Sequence, residues 1–482
     1  MVDFRPIAYV FGRILIVMAI LMLGPAAIDW SVGDENASAL LFSALITGGI
    51  GGLIALATVN GLGGSFDIRQ AYLLTAVIWF GLPVFAGLPF MLGVPNLHFT
   101  EAYFEAVSGI TTTGATVIYG LDGMPPGMNL WRGLLNAAGG LGIAFVAMIF
   151  LPVMRVGGMQ FFRTEGFDTF GKALPRATDI AKQLLGLYLG LILAAGVTYA
   201  AIGMTPLDAT VHAMASIATG GFSPRDASFN PYVGAGEYLG ALFMFLGSLP
   251  YVRYVQLING DMRPLWRDSQ IRAYVKVLGF AVGSVTLWRW LTSDMEFEDV
   301  FRESLFNLTS IMSSTGFFTG SFPLWGGYML VVAFVIGMIG ACSGSSASGL
   351  SVFRGQLMWA ALVQQLRQIV SPGRMAPVKY EGRTVGPDVL DALILYVAGF
   401  ILTLGVLTVA MTLTGVDTTS SLFAVWTSLG NIGYGFGPIV ERTGTFVDLP
   451  DAAKWIMTLA MLLGRLGLLT IFVLVLPRFW QR

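Results

Sequence analysis

Of 482 residues, 55% are hydrophobic and 11% charged, a charge density too low to cover a soluble globular surface. A net charge of −1 conceals a strong asymmetry along the chain, and the single cysteine, Cys342, excludes an intramolecular disulfide and a cysteine-based zinc site. The stretches 38–59, 71–95, 133–154, 183–207 and 392–416 each carry 22 to 25 residues without Asp, Glu, Lys or Arg. A bilayer core needs about 20 apolar residues per helix, so the chain reads as an all-α polytopic membrane protein.

In chain order, 7–28 resembles a signal peptide in having Arg5 and Arg13 at its start, but 38–59 follows at once, which predicts a retained helix pair. Then come a helix over 71–95, a short helix over 99–111, a turn at 111–116 and a helix over 127–153. A basic, glycine-containing loop leads to helices near 180–203 and 235–257, flanking a shorter segment at 207–223. The next unit begins near Ile271, holds a short segment at 297–319, and has a second helix that loses its apolar run at GACSGSSASG (340–349). The last unit reads as a helix over 388–414, a short segment over 418–437 and a helix over 452–476.

The short segments repeat one another: FEAVSGITTTG (104–114), TVHAMASIATG (210–220), FNLTSIMSSTG (306–316) and FAVWTSLGNIG (423–433). Repetition on this scale sets the architecture. Four helix–pore-loop–helix repeats around a single pore are expected, plus two extra N-terminal transmembrane helices. The boundaries are 1–66 for the helix pair, then 67–178, 179–268, 269–383 with its broken second helix, and 384–482.

If the short segments enter from outside, 20 of the 27 Lys and Arg residues fall on cytoplasmic segments, while acids such as Asp29, Glu101, Glu296 and Glu441 fall outside. The positive-inside rule then puts both termini in the cytoplasm, in keeping with ten spanning segments.

Non-helical backbone at membrane depth survives only inside protein or along a watery cavity. Four such turns around one axis would set rings of carbonyl oxygens where a cation sheds its water. Glycine permits the backbone geometry, and the helices before each turn present their partially negative ends. The expected ion-binding residues are Thr112, Thr113 and Gly114; Ala218, Thr219 and Gly220; Ser314, Thr315 and Gly316; and Asn431, Ile432 and Gly433. Asn431 to Gly435 also reads like the TVGYG filter of potassium channels with its first residue replaced. Gly340, Cys342, Gly344 and Gly349 in the broken helix, with Arg465 on the last helix, are the expected gate. A charge in an apolar run usually faces a cavity or a partner. His98 and His212 have no second histidine nearby, so a metal site is not expected at either; Glu105 serves either to concentrate cations or to pack its helix.

SGITTTGAT (108–116), RVGGMQ (155–160), IATGGFSPRDAS (217–228), SSTGFFTG (313–320), GNIGYGFG (430–437) and MLLGRLG (461–467) together resemble the membrane subunit of Trk-type potassium uptake systems, in the wider Trk/Ktr/HKT superfamily. The match runs over essentially the whole chain, and the initial helix pair resembles the TrkH branch. The resemblance implies potassium as the transported ion, since sodium-preferring plant relatives carry serine at the first filter glycine. It also implies a homodimer, a location in the cytoplasmic (inner) membrane, and a cytosolic, ring-forming, nucleotide-binding regulatory subunit (TrkA-like). Two positions depart from the family pattern: Ser351 stands where a lysine often follows the gating loop, and Gly467 replaces the acid of the familiar GRLE. The basic loops suit membrane lipids as well as a partner. No organic cofactor and no nucleic-acid partner are expected. The alternatives, an intramembrane enzyme or a non-conducting sensor, lack a catalytic constellation in the one case and sit poorly with four filter-like stretches in the other.

Overall fold

The computed structural model describes residues 3–61, 68–145, 177–371 and 377–480. Six of its helices are individually long and apolar enough to cross a membrane. Two form the N-terminal pair, α1 (Arg5–Ser31) and α2 (Asn36–Thr58). The others open the four units: α3 (Ile68–Ala86), extended by the short α4 (Leu88–Leu92); α7 (Ala177–Ala201); α12 (Ser269–Thr292); and α16 (Pro387–Thr412). Their outer faces are apolar and uncovered; on α2, Leu45, Leu53 and Leu56 are each 70% or more exposed. Faces of this extent mark contact with lipid or with another protein.

The second helices of the units differ from expectation. The sequence predicts an interruption in the third alone, within ten spans. The second and fourth are broken as well. In the second unit α9 (Ala235–Gly247) and α10 (Tyr251–Ile258) meet at 90° across Ser248–Pro250, where Pro250 has no N–H to continue the ladder. In the third, α14 (Gly327–Ile339) and α15 (Val352–Val370) flank the serine-rich segment. In the fourth, α19 (Asp451–Leu466) and α20 (Leu468–Val475) part at Gly467, whose φ of +74° no ordinary residue adopts cheaply. In the first, α6 (Pro126–Phe145) runs to the edge of the described residues. Among the described residues the spans are therefore six single helices, or seven with the bent pair.

Inside lie four short helices: α5 (Phe99–Ile110), α8 (Pro206–Ile217), α13 (Phe297–Met312) and α17 (Thr418–Leu429). At 1.5 Å per residue a 12-residue helix is about 18 Å long, too short for a bilayer core of about 30 Å. Two of the four starts are set by side-chain caps: Thr205 Oγ1 accepts the Asp208 N–H at 3.2 Å, and Asp417 Oδ1 accepts that of Ser420 at 2.9 Å. Burial works to raise the Asp417 carboxyl, but the hydrogen bonds from Ser420 prevail and hold it below its ordinary range. Each short helix packs on the second helix of the preceding unit: α8 on α6, α13 on α9, α17 on α14, and α5 on α19. The order closes on itself. The buried Asp29 joins the N-terminal pair to this body, accepting the Gly127 N–H at 2.5 Å and Asn36 Nδ2 at 3.0 Å.

A small hairpin, β1 (Lys379–Tyr380) and β2 (Arg383–Thr384), lies between the third and fourth units. It has a separate apolar cluster with Phe353, Leu357, Val385 and Leu393.

Candidate functional site

All four short helices end the same way. The residue two past each helix end, Thr112, Thr219, Ser314 and Asn431, is left-handed, with φ of +48°, +50°, +56° and +48°. The next N–H, from Thr113, Gly220, Thr315 and Ile432, donates to the carbonyl five residues back (Ser108, Ala215, Ser310 and Thr427), each at 2.8 Å. This Schellman closure spends the last helix carbonyls on local donors. Two residues past each left-handed position a glycine is left-handed again: Gly114, Gly221, Gly316 and Gly433, at +81°, +71°, +83° and +93°.

Those glycines touch in sequence. A Cβ on Gly114 would overlap the carbonyl oxygen of Gly220, one on Gly221 that of Thr315, one on Gly316 that of Ile432, and one on Gly433 that of Thr113. Four turns spread over more than 300 residues of chain thus form one closed ring of backbone. The four carbonyls, of Thr113, Gly220, Thr315 and Ile432, belong to buried residues, and among the described residues none accepts a hydrogen bond. Buried carbonyls are nearly always paired, so four unpaired ones meeting in one ring are exceptional.

The ring corrects one register. Aligning the second stretch on Gly220 puts it one residue out of step. Gly221 stands where Gly114, Gly316 and Gly433 stand, Gly220 matches Thr113, and Ala218 matches Thr111 on the helix side of the turn. The adjacent Gly220 and Gly221 left two alignments open. The apolar residue ending each helix (Ile110, Ile217, Met312, Leu429) would have chosen between them.

Outside the ring, one side chain in each of the first three stretches clasps the chain as it leaves the turn, and each lies nine residues before its glycine. Glu105 accepts the Thr116 hydroxyl at 2.9 Å and the Val117 N–H at 3.1 Å. His212 meets Ser223 Oγ through Nε2 at 3.1 Å, and Nδ1 meets the Asp208 carbonyl at 2.8 Å. Asn307 exchanges two bonds with Thr319, each 3.1 Å. In the fourth stretch the position is Ala424, which offers no such clasp, and past that turn Tyr434 packs against Phe318, Phe322 and Phe436. Glu105 also accepts Arg132 Nε at 2.9 Å, and Arg132 donates onward to the Ser223 carbonyl at 2.7 Å while lying over the Phe222 ring. Its charge is neutralised inside the protein, so of the two roles considered for Glu105 the geometry favours packing. Arg132 gave the same signal as Arg465, a lone charge in an apolar run.

On the helix side of the ring lies the segment between α14 and α15. Gly340, Gly344 and Gly349 are left-handed, and Cys342 is buried and free. The Ser348 N–H donates to Ser314 Oγ at 2.8 Å, fastening the segment to the third turn. Tyr251 holds it from α10: its N–H donates to the Gly344 carbonyl at 2.9 Å and its hydroxyl meets Ser346 Oγ at 2.7 Å. Gln270 Oε1 accepts the Ser343 N–H at 2.9 Å. Ser351 closes the segment by accepting from Ser343 Oγ at 2.7 Å. Arg465 reaches it from α19, donating through Nη1 to Ser348 Oγ at 2.5 Å, while its buried Nε and Nη2 have no hydrogen-bond partner among the described residues. The fold therefore brings all five expected gate residues to one place. Tyr251 and Gln270 were not singled out in the sequence; neither breaks a local pattern. RVGGMQ (155–160) and most of the basic loop lie outside the described residues.

A multi-pass helical body enclosing a ring of unpaired carbonyls is the architecture of a protein that handles cations within the membrane. The chain belongs to the TrkH family of cation transport proteins, whose model matches residues 50–482. It is a family of transporters, not of enzymes. The chain is 35% identical to the Trk system potassium uptake protein TrkI of Halomonas elongata, over 99% of this chain and 97% of that one. It is 31% identical to the Trk system potassium uptake protein TrkH of Escherichia coli, over 99% of each. The crystal structure of the potassium transporter TrkH from Vibrio parahaemolyticus superposes with a TM-score of 0.91 at 29% identity, covering both chains fully.

Proposed function

We propose that the chain carries potassium across the cytoplasmic membrane, and that the ring is the selectivity filter of a single pore formed by four helix–pore-loop–helix repeats. The observation that carries this reading is the set of four unpaired carbonyls at Thr113, Gly220, Thr315 and Ile432. A buried polar group without a partner costs about 1–3 kcal/mol. A dehydrated potassium ion between the four would satisfy them all, and they in turn would replace its water. The ends of α5, α8, α13 and α17 add negative potential from the helix side. The names of the relatives, potassium uptake proteins, support the choice of ion.

The segment Gly340–Gly349 and Arg465 form the barrier in this reading. The bond to Ser348 would place the guanidinium charge next to the ion path just inside the filter, where it repels an unhydrated cation. A cytosolic TrkA-like ring binding nucleotide would open it, docking on the basic segments 155–182 and 354–383 of a homodimer whose termini are cytoplasmic. The test is flux of potassium, rubidium and sodium into liposomes holding the purified chain alone. Potassium and rubidium entry exceeding sodium entry is expected; equal entry of all three, or none even from the Arg465→Ala variant, would count against the filter.

A further inference from the structure

The elbow joining the second and third units carries a basic cluster that the ion path does not use. After α10, the chain forms the short α11 (Arg263–Arg267) and enters α12 at Ser269. Arg263, Arg267, Arg272 and Lys276 are all exposed. Among the described residues, none of the four makes an ion pair. The acids nearby are committed elsewhere. Asp268 is buried against Arg253 at 2.6 Å, Asp261 accepts the Arg263 backbone N–H at 3.0 Å, and Glu381 accepts that of Ser269 at 3.0 Å. Arg272 is steered towards α11 by a bond from Nη2 to the Arg267 carbonyl at 3.1 Å.

The apolar surroundings say what such a cluster meets. Arg272, Lys276 and Phe280 follow one another at four-residue spacing, so they share one face of α12. That face continues through Leu287 and Leu291, and Phe280, Leu287 and Leu291 are 79%, 54% and 69% exposed. It is the face α12 turns to lipid. Beside the basic end, Ile258, Met262 and Trp266 are also exposed, Trp266 by 73%. Tryptophan with flanking arginine at the end of a span is the pattern of the membrane–water interface, where long basic side chains reach up to phosphate.

We infer that this elbow is a binding site for an anionic phospholipid, whose phosphate is held by Arg263, Arg267, Arg272 and Lys276 and whose acyl chains lie along the Phe280–Leu291 face of α12. Four uncommitted positive charges at the end of an apolar stripe are complementary to one such lipid, with its negative head and apolar tail. A soluble protein partner would match the charges but not the stripe.

The test uses the full chain in vesicles, with Cys342→Ser and Val275→Cys carrying a fluorophore on the lipid-facing side between Arg272 and Lys276. Quenching is compared for brominated phosphatidylglycerol and brominated phosphatidylcholine at equal mole fraction. Phosphatidylglycerol is expected to occupy the site about fivefold better, the effect of roughly one basic residue near an anionic surface. Replacing the four basic residues by glutamine should abolish the preference, and Arg263→Lys with Arg267→Lys and Arg272→Lys should keep it. Equal quenching by the two lipids would overturn the inference and leave the cluster to a soluble partner. So would a preference that survives neutralisation. Neither result depends on ion conduction, so the proposed filter stands or falls separately.

Discussion

Arg465 donates through Nη1 to the hydroxyl of Ser348 at 2.5 Å, and the same Ser348 donates its N–H to Ser314 in the third turn. One serine thus links the only charge on the C-terminal half of α19 to the ring itself. Removing the guanidinium frees the segment from one side and takes a positive charge from the proposed path. Arg465→Ala should raise potassium flux without any partner, and Ser348→Ala should do so less, because the charge remains. Fluorescence-based flux in liposomes reads both; flux no higher than in the unaltered chain in both variants would remove this pair from the barrier.

The register of the second turn yields a sharper contrast. Gly221 is left-handed, and a Cβ there would overlap the Thr315 carbonyl, whereas a Cβ on Gly220 meets the side chain of Asn136. A left-handed backbone costs a non-glycine residue about 1–2 kcal/mol before any clash. Gly221→Ala should therefore suppress flux more than Gly220→Ala, and Gly114→Ser should weaken discrimination between potassium and sodium. If Gly220→Ala proved the more damaging of the two, the alignment proposed for the ring would be wrong.

The buried pair of Glu105 and Arg132 is expected to act as a structural clasp. Both side chains are 1% exposed or less. Breaking such a pair from one side leaves a buried charge and costs about 3–5 kcal/mol. Glu105→Gln and Arg132→Met should each lower the melting temperature in detergent, and the double variant should lose less than the sum. Additive losses would mean that the two side chains act independently.

Topology is tested at the short turn between α1 and α2. Asn36, at the start of α2, is buried and accepts the Val94 N–H at 2.9 Å, so the exposed Glu35 beside it is the better position for a label. Glu35→Cys should react with an impermeant maleimide added outside, and a reporter fused after Arg482 should be active only in the cytoplasm. An outside-facing reporter would reverse the orientation.

Much of this organisation was legible because membrane burial leaves coarse signals. Charge-free runs located the unbroken helices α2, α3, α7 and α16, and small hydroxyl residues before glycine located the turns. What the sequence hid was geometry between segments. The bend at Ser248–Pro250 and the break at Gly467 have apolar residues immediately on either side, Leu249 and Tyr251 at the one and Leu466 and Leu468 at the other. The clasp positions Glu105, His212 and Asn307 share a place but not a residue type, so no repeat of letters announces them. Gly220 and Gly221 are chemically identical neighbours, told apart in sequence only by their distance from the apolar helix end at Ile217 and in the structure by the left-handed angle of Gly221.

The central claim is that the carbonyls of Thr113, Gly220, Thr315 and Ile432 hold the transported ion. Crystals grown with thallium or rubidium in place of potassium test it most directly, through anomalous scattering. The account predicts an anomalous peak within the ring, close to all four oxygens, that weakens when potassium is added back. A ring without density in crystals whose protein transports the same ion, or a peak elsewhere along the chain, would contradict it.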